Sequence, residues 1–212
     1  MIRRPKKHDL LGLLPDTLVL TRTRDSALRY LTFDDGPDPE HTPDLLDVLA
    51  RHGVKASFFL VGEKIEAYPA IVARIVAEGH MVGNHSYSHW SFARMDIAKQ
   101  LEEVYRTDAL LRRFDDRPHH RMRPPSGYVG ARLFMHFAAH RRSLVYWSYD
   151  SLDYQDRPVD DLIARLLDQP PGPGDIVLMH DDSDKAARAL DRVLPAWHAR
   201  GMRFAALPGN AP

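Results

Sequence analysis

The sequence predicts an α/β fold in which about seven βα units form a closed or nearly closed barrel. Short runs of β-type residues alternate with longer segments of helical periodicity, and no linker or low-complexity segment separates them. Polar residues also cluster directly after the predicted strands. In a parallel barrel the carboxyl ends of the strands meet at one face, where active sites form. We expect residues 1–212 to form one domain, with its core at about 28–205.

The first half of the chain is predicted to supply three strands and three helices. The strands lie at 28–33, 55–61 and 80–83, and the helices begin near Thr42, Pro69 and Asp96. Thr42 is expected to cap the first helix, with Pro43 in its first turn. Gly79 is expected to end the second helix, and apolar residues at helical spacing extend the third to Arg113.

The second half of the chain continues this alternation. Strands are predicted at 121–124, 144–149, 175–180 and 202–205. Helices are predicted at 129–140, at 160–167 and from the end of the strand at 175–180 through about residue 199. The segment 169–174 is rich in proline and glycine, which indicates a rigid loop and not a domain boundary.

Composition narrows the function. Lys plus Arg and Asp plus Glu both number 29, so the formal net charge is zero. No global field favours nucleic acid, and a neutral carbohydrate suits this balance better. The chain contains no cysteine, which excludes disulfides, thiolate metal sites and thiol catalysis. The oligomeric state is left open.

The amino-terminal segment is basic, and its short apolar stretch is interrupted by Pro15 and Asp16. A secretory signal needs roughly 7–15 continuous apolar residues, so none is predicted and the cytoplasm is favoured. No run approaches the roughly 20 apolar residues of a membrane span. We therefore expect no integral membrane segment.

Two segments contain candidate metal ligands. Thr32–Pro37 places two adjacent carboxylates after a strand, where one could bind a metal while the other acts as a base, although Asp-Gly-Pro is also typical of a turn. In segment 85–89, His85 and His89 would meet on one helical turn, but such pairs are frequent by chance among 12 histidines. Asp35 would complete a two-histidine, one-carboxylate face, found in zinc hydrolases and in non-haem iron sites.

Three further polar segments follow predicted strands. In Arg123–Tyr128, prolines and a glycine would hold a backbone N–H towards a substrate, and the arginine could pair with a carboxylate. The alternative is a rigid turn with a surface arginine. The segment Asp150–Tyr154 is acidic, and Leu178–Asp181 contains His180, which could be a catalyst or a structural histidine.

These five segments, in this order, resemble the motifs of the polysaccharide deacetylase family, the NodB-homology domain of carbohydrate esterase family four. They read TFDDGP at 32–37, HSYSH at 85–89, RPPSG at 123–127, DSLDY at 150–154 and LMH at 178–180. The resemblance implies a distorted (β/α) barrel. It also implies a metal-dependent hydrolase that removes N-acetyl groups from N-acetylated sugars and releases acetate.

The resemblance assigns roles to the first three motifs. Asp34 would be the general base, and Arg123 would orient it. The metal, usually zinc, would be bound by Asp35, His85 and His89.

The last two motifs would supply the acid and part of the substrate pocket. By the same resemblance, His180 would be the general acid that protonates the departing nitrogen. Asp153 would steady it, with Asp150 as the alternative. Leu178 would line the pocket for the acetyl methyl group.

Several positions bear on the substrate. Ser126 stands where the family often has an aromatic residue whose backbone N–H helps to hold the oxyanion, and a backbone donor survives this change. Tyr128 could partly replace the missing ring, and Tyr154 stands where tryptophan is common. Trp90, next to a metal histidine, could stack on a sugar ring or pack in the core.

The particular glycan is left open among peptidoglycan, chitin oligosaccharides, an exopolysaccharide and a lipid-linked sugar. One alternative function is a catalytically inactive carbohydrate-binding barrel, which the presence of all the catalytic residue types argues against. A non-haem iron oxygenase is the other, and a requirement for oxygen would distinguish it.

Overall fold

The computed structural model describes residues 14–25 and 27–209. The strands are β1 (Val19–Leu20), β2 (Leu28–Asp34), β3 (Ser57–Leu60), β4 (Met81–Asn84), β5 (Leu144–Val145), β6 (Tyr149–Asp150), β7 (Ile176–His180) and β8 (Arg203–Phe204). The helices are α1 (His41–Arg51), α2 (Gly62–Ala67), α3 (Pro69–Ala77), α4 (Ile97–Asp115), α5 (Ala131–Ala139), α6 (Val159–Asp168) and α7 (Lys185–Ala199), with 3₁₀ turns at Phe92–Arg94 and Pro125–Gly127. Most of the amino-terminal segment in which we expect no signal lies outside the described residues.

The strands pair in parallel and close into a distorted barrel. β4, β3, β2, β7 and β6 are neighbours in that order. Met122 bridges Asn84 of β4 to Leu144 of β5. Because β5 and β6 belong to one continuous segment, 144–150, the circuit returns to its start. β1 adds to β5, and β8 adds to β2. The predicted (β/α) barrel is confirmed.

Alternation along β2 decides which side chains reach the barrel interior. Leu31 and Phe33 pack in the main hydrophobic core with residues of the surrounding helices. Thr32 and Asp34, on the opposite face, contact Arg123 inside the barrel. Burial of each large apolar side chain contributes about 1.5–3 kcal/mol. If the pairing register of β2 shifted by one residue, its apolar and polar side chains would exchange faces. Burial of the apolar side chains in the core therefore fixes which side of the strand carries the polar groups.

The predicted cap of the first helix is wrong. Thr42 lies inside α1 and is fully buried. Its hydroxyl accepts a hydrogen bond from the Asp38 N–H at 2.8 Å and donates one to Asp181 Oδ2 at 2.5 Å. Asp38 instead accepts from the N–H groups of Glu40 and His41. The Asp181 carboxyl is buried and needs a hydrogen-bond partner within the protein, which the Thr42 hydroxyl provides.

Other elements differ from the prediction in extent. The strand predicted at 121–124 is reduced to the bridge at Met122, since the prolines that follow it cannot donate to a ladder. The strand predicted at 144–149 is divided into β5 and β6, and the short elements β1 and α2 were not predicted. Among the described residues, no helix has the length and apolar character required to cross a membrane.

Candidate active site

The first carboxylates and the last histidine of the motifs lie side by side because of the strand register. Asp34 ends β2 and pairs with His180, which ends the adjacent β7. Asp35 follows the strand with a φ of 76°, in the left-handed region. The two neighbouring carboxylates therefore diverge through a turn as well as through the pleat of an extended strand.

Asp34 is held by a buried arginine. Its Oδ1 accepts a hydrogen bond of 2.7 Å from Nη1 of Arg123, whose side chain is fully buried. The same nitrogen donates to the Thr32 hydroxyl at 2.8 Å, and Nη2 donates to the Tyr146 carbonyl at 3.2 Å. The guanidinium also lies over the Phe59 ring, 4.2 Å from its centroid. These contacts leave the arginine one position, so Asp34 is oriented from behind.

Asp35, His85 and His89 form a cluster suited to a metal. One potential ligand atom from each lies within 4.8 Å of the others. Asp35 Oδ1 is 3.3 Å from His85 Nε2 and 3.1 Å from His89 Nε2. His85 Nδ1 lies 2.7 Å from the Arg123 carbonyl, to which it must donate. This contact fixes the tautomer and leaves Nε2 free to bind a metal.

The prediction that His85 and His89 meet on one helical turn is wrong. Segment 85–89 has no regular structure, and Ser86 and His89 have φ values of 66° and 57°. Left-handed backbone at such residues costs about 1–3 kcal/mol each and needs surrounding contacts to persist. The ring centroids of His85 and His89 are nevertheless 4.9 Å apart. Their proximity therefore depends on tertiary contacts.

The ionisable groups of this cluster shift one another's pKa values. Burial alone would raise the pKa of Asp35, but the interaction with His85 and the charge of His89 hold it well below its usual range. Burial lowers the pKa of His89, and the charge of His85 adds to this effect. Asp35 is therefore a carboxylate at neutral pH, and its charge favours a cation between it and the histidines.

His180 is paired with Asp153 and not with Asp150. Asp153 Oδ1 lies 2.9 Å from His180 Nδ1, and Oδ2 accepts the His180 backbone N–H at 2.7 Å. Burial alone would lower the pKa of His180, but Asp153 raises it to about 9, with the charges of Asp34 and Asp35 adding to the effect. Asp150 instead accepts from the Leu152 N–H at 3.0 Å. His180 is therefore protonated at neutral pH.

A cavity of about 380 Å³ joins these groups. Leu178 and Ser126, two of the residues predicted to contact a substrate, are among its lining residues. Trp147 also lines it. Trp90 and Tyr128 are not among its lining residues and are 70% and 40% exposed. A larger cavity of about 680 Å³ lies near the amino-terminal ends of the strands and contains none of these groups.

Comparison with known proteins places this architecture in a family. The sequence matches the Polysaccharide deacetylase family over residues 21–140. It is 36% identical over 182 residues to a peptidoglycan-N-acetylglucosamine deacetylase of Bacillus cereus, covering 84% of this chain and 66% of that protein. It is also 36% identical over 195 residues to a chitooligosaccharide deacetylase of Bradyrhizobium, covering 84% and 88%.

A solved structure agrees with these matches. A crystal structure of a peptidoglycan N-acetylglucosamine deacetylase, in complex with 4-naphthalen-1-yl-N-oxidanyl-benzamide, superposes with a TM-score of 0.84 at 34% identity. The match covers 91% of each chain. The chain belongs to the polysaccharide deacetylase family, which confirms the resemblance of the five motifs. Its class is that of a carbohydrate N-deacetylase.

Proposed function

We propose that this chain is a zinc-dependent deacetylase that hydrolyses the acetamide of N-acetylglucosamine units in a glycan. The observation that carries the proposal is the content of one cavity. It holds a three-residue cluster suited to a metal, a carboxylate fixed by a buried arginine, and a protonated histidine. Each of the three would assist the hydrolysis of an amide: a metal can polarise the poorly electrophilic carbonyl, a base can activate the water, and an acid can protonate the amine, which is a poor leaving group.

Asp35, His85 and His89 would hold the metal. Asp35 Oδ1 is buried and accepts no hydrogen bond from the described part of the chain, so it is an orphaned acceptor that a cation would satisfy. Two imidazoles and a carboxylate with open positions suit catalytic zinc. A bound zinc ion would polarise the acetamide carbonyl and lower the pKa of a water molecule.

Asp34 would accept the proton of the attacking water. Arg123 donates a hydrogen bond to one carboxylate oxygen of Asp34, Oδ1. The other oxygen, Oδ2, remains available on the side of the cavity where a substrate would bind. General-base catalysis of this kind contributes typically about 10²–10⁴-fold.

His180 would donate a proton to the departing nitrogen. Its Nδ1 is engaged by Asp153, so the proton comes from Nε2. In the turn at Pro125–Gly127 the Gly127 and Tyr128 N–H groups are already used for backbone hydrogen bonds. We assign the Ser126 N–H to the oxyanion, as a donor that is positioned before reaction. Leu178 would contact the acetyl methyl group.

The substrate assignment rests on the relatives and on the rim of the cavity. One relative is a peptidoglycan-N-acetylglucosamine deacetylase, and the other is a chitooligosaccharide deacetylase. The exposed Tyr154 lines the cavity, and two further exposed aromatic residues, Trp90 and Tyr128, directly follow the lining residues His89 and Gly127 in the chain. Exposed aromatic rings are suited to stacking on the apolar faces of sugars.

Acetate release from chitopentaose by metal-stripped protein, with and without added Zn²⁺, tests the proposal. Zinc should restore release in the wild type, and Asp34→Asn should lower kcat by about 10²–10⁴-fold because the base is lost. Asp116→Asn is a matched control, since this exposed residue has a φ of 58° that asparagine tolerates. It should retain wild-type activity.

Other outcomes would redirect the assignment. Zinc binding without acetate release from this or a peptidoglycan substrate would favour the inactive carbohydrate-binding barrel. A requirement for oxygen would favour the non-haem iron alternative. Failure of the wild type to bind any metal would contradict the site itself.

A further inference from the structure

The metal-ligand segment 85–89 is held in its irregular shape by polar contacts from the helix α4. Its most extensive partner is Glu103, which is 3% exposed. Glu103 Oε2 accepts the Tyr87 N–H at 3.1 Å, the Ser88 N–H at 2.7 Å and the Ser88 hydroxyl at 2.8 Å. One carboxylate oxygen thus engages three donors between the two histidines, and hydrogen bonds to a charged acceptor are the stronger kind.

The opposite side of the segment is fixed by the start of α2. The N–H groups of Gly62 and Glu63 donate to the carbonyls of Ser86 and Tyr87 at 3.0 and 2.9 Å. A Cβ at position 62 would lie 2.5 Å from Tyr87 Cδ2, so only glycine allows this approach. The segment therefore has its carbonyls bound on one side and its N–H groups bound by Glu103 on the other.

His89 has less support than His85, whose N–H donates to the Leu60 carbonyl at 3.0 Å and whose ring is bound to the Arg123 carbonyl. The His89 N–H reaches only the Ser86 hydroxyl, at 3.1 Å. The His89 side chain is 39% exposed, so packing constrains it less than it constrains the buried His85. Loss of the Glu103 contacts would release the backbone directly before His89, and His89 itself has a left-handed backbone conformation.

We propose that Glu103 is a positioning residue that holds segment 85–89 in the conformation in which His85 and His89 can bind a metal together with Asp35. This inference rests on the metal site of the proposed function. Glu103 hydrogen-bonds to the backbone and the Ser88 hydroxyl between the two histidines, and not to the side chain of a metal ligand. Removal of the Glu103 carboxylate should therefore lower the affinity for the metal, with a comparatively small change in the stability of the metal-free fold.

The test compares Zn²⁺ affinity in Glu103→Ala, Glu103→Gln and Glu102→Ala, measured by competition with a chromophoric chelator. Supporting contacts around metal ligands typically contribute about 10–100-fold in affinity, which is the loss expected for Glu103→Ala. Glu103→Gln retains an acceptor oxygen without the charge, so a smaller loss is expected. Glu102 is the adjacent, exposed residue paired with Lys99, and its replacement should leave the affinity unchanged.

The visible absorption spectrum of the Co²⁺-loaded proteins and the thermal unfolding of the metal-free proteins complete the test. A changed cobalt spectrum in Glu103→Ala, restored towards wild type in Glu103→Gln, supports the proposal. Wild-type affinity and spectrum in Glu103→Ala, even with lowered stability, would overturn it. If Glu103→Ala does not fold, Glu103→Gln and Ser88→Ala decide, and unchanged affinity in both would overturn it. Failure of the wild type to bind metal would instead contradict the proposed function.

Discussion

The two halves of the candidate site are built in different ways. Asp34 and His180 end two adjacent parallel strands, and the backbone register alone brings them together. His85 and His89 lie in a segment without regular structure, and polar contacts from two helices hold it. The acid–base half thus shares the rigidity of the barrel core, whereas the metal-binding half depends on a few hydrogen bonds.

This difference predicts different responses to mutation. Changes in the metal-binding half should alter metal affinity with little effect on folding, because Tyr87 is the one residue of segment 85–89 that packs against the apolar core. Changes behind the strand ends should alter the pKa of a catalytic group or the free energy of unfolding, because those groups are buried in the barrel.

The largest expected effect is on metal affinity in His89→Ala. Loss of one of three ligands should weaken Zn²⁺ binding by about a thousandfold. Since the side chain is 39% exposed, the free energy of unfolding without metal should change by less than about 1 kcal/mol. Zinc titration and urea unfolding measure both quantities. His140→Ala, at an exposed histidine far from the cluster, is the control. A large loss of apo stability in His89→Ala would contradict the comparison.

A smaller effect, on pH dependence, is expected in Asp153→Asn. The raised pKa of His180, about 9, keeps the acid protonated below that pH, so activity should fall as the pH rises through about 9. Without Asp153 the pKa should fall towards the ordinary value of about 6.5, and the alkaline limb of kcat/KM should move to lower pH. We expect kcat at neutral pH to fall by about 10²-fold.

Asp150→Asn sharpens this prediction, because Asp150 lies in the same segment and contacts the Leu152 N–H, not His180. The alkaline limb should keep its position in this variant. An equal displacement of the limb in both variants would contradict the assignment of Asp153 as the partner of His180.

The smallest effect is expected behind the first motif, in Thr42→Val. Burial raises the pKa of Asp181 to about 7, and the hydrogen bond from Thr42 opposes this rise. A side chain at Gly36 would collide with the Asp181 carboxyl, so this pair packs directly against the Asp34–Asp35 turn. Loss of the hydroxyl should destabilise the fold by about 1–3 kcal/mol.

The pH sign of this prediction follows from the charged form. The Thr42 hydroxyl stabilises ionised Asp181, so the destabilisation should grow as the pH rises through about 7. Urea unfolding at about pH 5.5 and about pH 8.5 measures it. Thr42→Ser retains the hydroxyl and should show little of this pH dependence. An equal loss at both pH values would show that packing alone is responsible.

The sequence predicted the strands of the barrel where apolar β-type runs were long enough to be unambiguous. β2 and β7 were predicted within one residue, and both end at residues of the site. The residue types at those ends also predicted a metal-binding and acid–base chemistry. Elements of a few residues, such as β1 and α2, were not predicted because so short a segment contains no measurable periodicity.

The choice between Asp150 and Asp153 shows why the sequence was insufficient. Both carboxylates follow the same strand, and their spacing does not distinguish them. Leu152, with a φ of 64°, turns the chain so that Asp153 faces His180. Thr42 was wrongly predicted as a helix cap because the sequence does not show that its hydrogen-bond partner, Asp181, lies beside it. The two residues are 139 positions apart in the chain.

The sequence by itself determined the order of the elements and the chemical types available at the strand ends, because periodicity and residue identity are local properties. Only the tertiary structure decided which of these groups meet. The contact of His85 with Arg123, of Asp153 with His180 and of Glu103 with the metal-ligand segment joins residues that are distant in the chain. Such contacts depend on the closure of the barrel and on backbone dihedral angles that residue type alone does not specify.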